Sequence, residues 1–91
     1  MVVGILYIDI DLPFVQSLKG RRRVLNSMKE KLKKFNLGVI DLSGEYPKEG
    51  TLGIVFPAHT QLQASQIADR IEEFLYSHFP EVEFYFDREF L

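Results

Sequence analysis

Cysteine is missing from the 91-residue chain. With it go disulfide staples, thiolate metal centres and any cysteine nucleophile, an absence that fits a reducing compartment. Long apolar runs are missing too. The N-terminal run Val2 to Ile8 is only seven residues long, far short of the roughly 20 a membrane helix needs. No basic segment precedes it and no small-residue cleavage site follows, so a soluble, cytoplasmic protein without a secretory leader is expected. Glycine-rich phosphate loops of the P-loop or G-x-G-x-x-G kind do not occur. The two histidines, His59 and His78, stand in no recognisable nucleophile–base pair. A binding protein is therefore expected before an enzyme, and no cofactor is implied.

The residues that are present exclude a disordered tail. The chain is 46% hydrophobic, holds eight phenylalanines and is 26% charged, a composition that can build a core. A chain this small buries roughly 60–65% of its unfolded surface, which allows one domain spanning residues 1–91.

The hydropathy period divides that domain. From Val2 to Leu12 the even positions stay apolar while the odd ones pass from Val3, Ile5 and Tyr7 to Asp9 and Asp11, the period of a strand that Pro13 ends. Between Ser17 and Phe35 the apolar residues Leu18, Leu25, Met28, Leu32 and Phe35 fall on one helical face, with Ser17 as N-cap. A second strand follows over Leu37 to Ser43. Either Leu37 and Val39 or Ile40 and Leu42 could be its buried set. Gly44 to Gly50 reads as a hairpin loop, and Thr51 to Phe56 as a third strand closed by Pro57. Thr60 to Gln63 matches a T-x-x-Q capping box, and helical spacing then continues through Ile67, Ile71, Phe74 and Leu75 to Pro80. Here His78, in the last turn, is placed to cap carbonyls. Val82, Phe84 and Phe86 alternate with Glu83, Tyr85 and Asp87 in a fourth strand. The order β-α-β-β-α-β predicts an α+β, ferredoxin-like split βαβ fold: a four-stranded antiparallel sheet with two helices on one face and the other face open.

Charge is distributed unevenly along this order. The net charge of −2 averages two unlike parts. Between Lys19 and Lys34 eight lysines and arginines face one glutamate, a net +7; the other residues hold three basic and twelve acidic side chains, a net −9. On a helical wheel Lys19, Arg22, Arg23, Lys29 and Lys33 lie opposite the Met28/Leu32 stripe, and Lys34 sits at that face's edge. Arg21 falls within the apolar stripe, where its stem would lie on the core and its head would snorkel out. Like charges three and four residues apart cost a few tenths of a kcal/mol per pair, roughly, so folding alone does not favour this run. A polyanion does, and phosphate suits the arginine forks and lysine point charges best.

The run Ser17-Leu18-Lys19-Gly20-Arg21-Arg22-Arg23-Val24-Leu25, with Phe35-Asn36-Leu37-Gly38-Val39, Thr51-Leu52-Gly53-Ile54 and the opening Met1-Val2-Val3-Gly4, resembles the YlxP-like family of small bacterial proteins of unknown function. The resemblance spans nearly the whole chain and is most specific in its S-L-K-x-[KR]-R-x-[VL] run. It implies a ferredoxin-like fold and a bacterial setting beside initiation and ribosome-assembly factors. From that setting it implies RNA or the small ribosomal subunit as partner. It implies no catalytic residues; Lys19, Arg21, Arg22 and Arg23 carry over only as a signature. Two departures stand out. The family usually places an acidic residue where Gly20 stands, and it tends to carry tryptophan in the loop before the third strand. This chain has no tryptophan, and Tyr46 occupies that shorter loop.

Three other readings concern the open sheet face. RNA-stacking sheets carry aromatics on their two central strands, but here only Tyr7 on the first strand qualifies, since the third offers Thr51, Gly53 and Val55. Val3, Ile5, Tyr7, Val55 and Tyr85 form an apolar patch there, which suits a homodimer or a homo-oligomeric ligand-sensing or scaffolding domain. Asp9, Asp11 and Glu83, at adjoining strand ends, are oxygen ligands of the kind Mg²⁺ takes, which makes a metal-dependent nuclease the enzymatic alternative.

Overall fold

A computed structural model describes residues 1–91: β1 (Val2–Asp11), α1 (Leu18–Leu32), β2 (Gly38–Asp41), β3 (Glu49–Ala58), α2 (Gln61–His78) and β4 (Glu83–Phe90). The strands form one antiparallel sheet in the order β2-β3-β1-β4. This is the ferredoxin-like arrangement that the period changes predict, with β1 and β3 at the centre. No helix is long and apolar enough to cross a membrane.

Alternation sorts each strand between two faces. Leu6, Ile8, Ile10 and Leu12 of the first strand and Leu52, Ile54 and Phe56 of β3 point into the core. There they meet Leu25, Met28 and Leu32 of α1 and Ala64, Ala68, Ile71 and Leu75 of α2. The alanines of α2 let its backbone lie close to the sheet. Gly4 makes room in β1 for a core ring: it pairs with Phe56, and a Cβ at this position would fall 2.3 Å from the Phe56 ring.

Both helix starts are capped as their sequences predict. Ser17 Oγ accepts from the Gly20 amide at 3.0 Å, and Thr60 Oγ1 from the Gln63 amide at 3.1 Å. Gln63 Oε1 returns the bond to the His59 amide, one residue before the cap. At the other end of α2, His78 Nδ1 donates to the Phe74 carbonyl at 2.9 Å.

The third strand runs on through Pro57 to Ala58. Val3, opposite Pro57, exchanges both backbone hydrogen bonds with Leu91 instead. The ring thus occupies a position where β1 requires no donor, and β2 has already ended at Gly38. The register of β2 is also settled. Val39 pairs with buried Ile54 and packs on the core beside Leu37, while Ile40 is 60% exposed on the open face.

Candidate functional site

The basic side chains of α1 divide by their place on the helix. Lys19, Arg22 and Arg23 are exposed in the first turns, and Lys33 and Lys34 are exposed just past its end. One ion pair touches this set, Lys33 with Glu30 at 3.0 Å. Both partners are over two-thirds exposed, where such pairs contribute about 0–1 kcal/mol. The positive charge of this face is left largely uncompensated by side chains of the same chain. Lys34 is held without being neutralised: its ammonium lies 4.4 Å from the Phe74 ring centroid and 5.3 Å from that of Phe35.

Two members of the predicted set face elsewhere. Arg21 does not snorkel out. It is 9% exposed, and its Nη1 donates to the Tyr46 carbonyl at 3.0 Å and the Glu49 carbonyl at 3.1 Å. The guanidinium turns inward because the β2–β3 loop presents carbonyls that its fork can satisfy. Lys48 works beside it, donating from Nζ to Pro13 and Val15 carbonyls at 2.8 and 3.0 Å. Together these two cations tie the β2–β3 loop to the start of α1, and Arg21 is a structural residue. Lys29 is half-buried on the side of α1 that faces Asp41. Partial burial pushes the Asp41 carboxyl up, but hydrogen bonds from Ser43 and the charges of Lys29 and Arg21 outweigh it and hold it below the usual aspartate value.

The opposite face of the sheet carries charge of the other sign. Cross-strand register places Asp9, Asp11, Glu49, Glu83, Asp87 and Glu89 there, with no lysine or arginine among the outward positions of any strand. Asp11 stands between Glu49 and Glu83, its partners on either side. The carboxylates are near neighbours without forming a metal cage: no three acidic or histidine side chains gather where they could hold an ion. Asp9 accepts from the Thr51 hydroxyl at 2.9 Å, and Glu83 from that of Tyr85 at 2.9 Å. That bond and the charges of Glu83 and Asp11 raise the Tyr85 pKa.

The apolar patch on this face is narrower on one side and wider on the other than its sequence suggests. Ile5, Tyr7 and Val55 line a groove of about 390 Å³ together with Ile40 and Leu42 of the β2 edge. Tyr85 belongs with the carboxylates, opposite Asp9, and Val3 lies half-buried beyond the groove. Arg88 escaped the sequence reading because the fourth strand was expected to end near Asp87. The alternation in fact continues, and Arg88 points to the helix side, pairing with Asp69 at 2.7 Å and Glu72 at 2.8 Å on α2. The signal was the core-facing phase of Phe84 and Phe86, with two acids spaced i, i+3 on the facing helix.

A small ferredoxin-like domain with cations on one helix and acids on its bare sheet face is a class that many functions share. Within it the chain belongs to a family of proteins of unknown function, DUF503, whose signature matches residues 3–86. No curated protein matches the chain. Among solved structures it is similar to the de novo designed protein Foldit4, with a TM-score of 0.58 at 13% identity over 96% of each chain. At that identity the likeness concerns the fold alone.

Proposed function

We propose that the protein is a non-enzymatic RNA-binding module that contacts phosphates through α1. One observation carries this reading: Lys19, Arg22, Arg23, Lys33 and Lys34 are exposed on and just after one helix, with a single weak ion pair among them. The acidic sheet face supports it by repelling the same ligand, so RNA has one surface to approach. The resemblance to YlxP-like bacterial proteins favours the small ribosomal subunit as partner, with a part in its assembly or in translation.

The test is co-sedimentation of the protein with purified small subunits at low salt. Reversing Arg22, Arg23 and Lys33 to glutamate together abolishes co-sedimentation on this reading, and unchanged co-sedimentation would sink it. Wild-type affinity should also fall steeply with salt, because each phosphate contact releases condensed counterions. Arg21 is left out of the variant because it holds the Tyr46 and Glu49 carbonyls, and Lys29 because it is half-buried.

A second reading, self-association through the sheet, is favoured by the groove of Ile5, Tyr7, Val55, Ile40 and Leu42. The six carboxylates on the same face oppose it, because a second copy brings like charges. Sedimentation velocity decides: a monomer at every concentration removes this reading.

A further inference from the structure

Past the end of α1, a cavity of about 630 Å³ opens between that helix, the end of β3 and α2. Its lining is drawn from separate segments, with Met1 at the start of the chain, Lys34 after α1, His59 in the β3–α2 loop and Arg70 on α2. Asn36 and Gln63 add side-chain amides. No aspartate or glutamate lines it, although the chain has more acidic than basic residues. Neither Lys34 nor Arg70 takes part in an ion pair.

One of the side-chain amides is turned to donate. Gln63 has its Oε1 engaged by the His59 amide, so the part of its side chain left for a ligand is the NH₂ group. The Lys34 ammonium has no carboxylate partner and lies against the rings of Phe35 and Phe74, themselves set edge-to-face at 5.3 Å. Between these donors the wall is apolar, formed by Phe35, Pro57, Ala58 and Ile67.

We propose that this cavity binds a nucleotide through its phosphate. Arg70 supplies the planar fork that phosphate accepts in bidentate fashion and Lys34 a point charge, while the apolar wall takes the sugar and base. The volume lies within the roughly 300–1,000 Å³ common for small-molecule sites. A free nucleotide and the phosphorylated end of an RNA strand present the same chemistry. The site shares Lys34 with the α1 reading, but Arg70 and His59 lie outside that set, so a variant at Arg70 tests the cavity alone.

An amide NMR titration of the whole chain tests it, using adenosine monophosphate and two short oligoribonucleotides that differ only in a 5′-phosphate or a 5′-hydroxyl. Adenosine monophosphate should give saturable shifts at Asn36, His59, Gln63 and Arg70. Arg70→Glu should weaken this binding by roughly tenfold or more, as loss of a charge-assisted contact predicts. Arg70 is exposed, so the variant should otherwise keep the wild-type spectrum. Reversal of Arg22 and Arg23 should leave nucleotide affinity within about twofold, which separates this site from the α1 reading. If only the 5′-phosphorylated oligonucleotide moves the same resonances, an RNA terminus is the source; if only the mononucleotide does, a free nucleotide is. Absence of saturable shifts with every probe, or shifts undiminished in Arg70→Glu, overturns the proposal.

Discussion

The two faces of the sheet are built from alternate residues of the same strands, yet they differ in almost every physical respect. On one, Leu6, Ile8 and Ile10 are sealed under two helices; on the other, Ile5, Tyr7 and Asp9 meet solvent. The covered face ends outward in the basic surface of α1, while the bare face gathers six carboxylates and no cation. The charge separation along the chain thus becomes one between α1 and the bare face of the sheet. The difference teaches that the net charge of −2 describes neither surface. An anion meeting α1 and an anion meeting the sheet experience opposite fields.

Adjacent residues give the widest test of this contrast. Leu6→Ala should cost about 2–5 kcal/mol in denaturant unfolding, because its side chain is fully buried and leaves a cavity. Ile5→Ala, one position along and on the bare face, should cost less than about 1 kcal/mol. Comparable losses at both positions would mean that the bare face is covered in solution.

Arginines one position apart should separate stability from binding. Arg21→Ala should destabilise by roughly 1.5–3 kcal/mol, since it removes the charged donor that the Tyr46 and Glu49 carbonyls share. Arg22→Ala should change stability by no more than about 0.5 kcal/mol and act on RNA affinity alone. The reverse ranking would contradict the inward placement of Arg21.

Glycines on the two faces offer a third comparison. Gly4→Ala drives a methyl group into the buried Phe56 ring and should cost about 1–3 kcal/mol as an overpacked core. At Gly53 the new Cβ would meet Leu42 at 2.9 Å and Ile40 at 3.2 Å. Both of those side chains are exposed and free to turn aside, so Gly53→Ala should cost less than about 1 kcal/mol. Smallest of all is the effect of Asp11→Asn. It relieves like charges directly across from Glu49 and Glu83 and should raise stability by about 0.2–1 kcal/mol at low salt. A loss of stability there would show that a cation normally bridges the row.

How much of this was legible beforehand follows the range of each interaction. The element order, both N-caps and the basic face of α1 depend on residues within a few positions of one another, and period and spacing reveal them. Arg21 was misplaced because its partners, Tyr46 and Glu49, lie 25 and 28 residues away. Nothing local distinguishes a buried arginine from one that snorkels. The register of β2 was ambiguous because both of its phases are apolar, and only pairing with β3 could choose between them. The cavity of Lys34, His59 and Arg70 draws on three segments and therefore left no motif. Arg88 lies one residue beyond the alternation of Val82 to Asp87, and its partners Asp69 and Glu72 are 19 and 16 residues away.

RNA affinity measured on two paired variants addresses the contrast between the faces most directly. One variant reverses Arg22 and Arg23 to glutamate on α1; the other neutralises Asp87 and Glu89 to asparagine and glutamine on the sheet. Binding of each to small-subunit RNA at low salt should differ sharply. The α1 variant should lose roughly tenfold or more in affinity, while the sheet variant should bind as well as the wild type or slightly better. Equal affinities for wild type and the α1 variant, or a loss confined to the sheet variant, would contradict the assignment of RNA to the helix face.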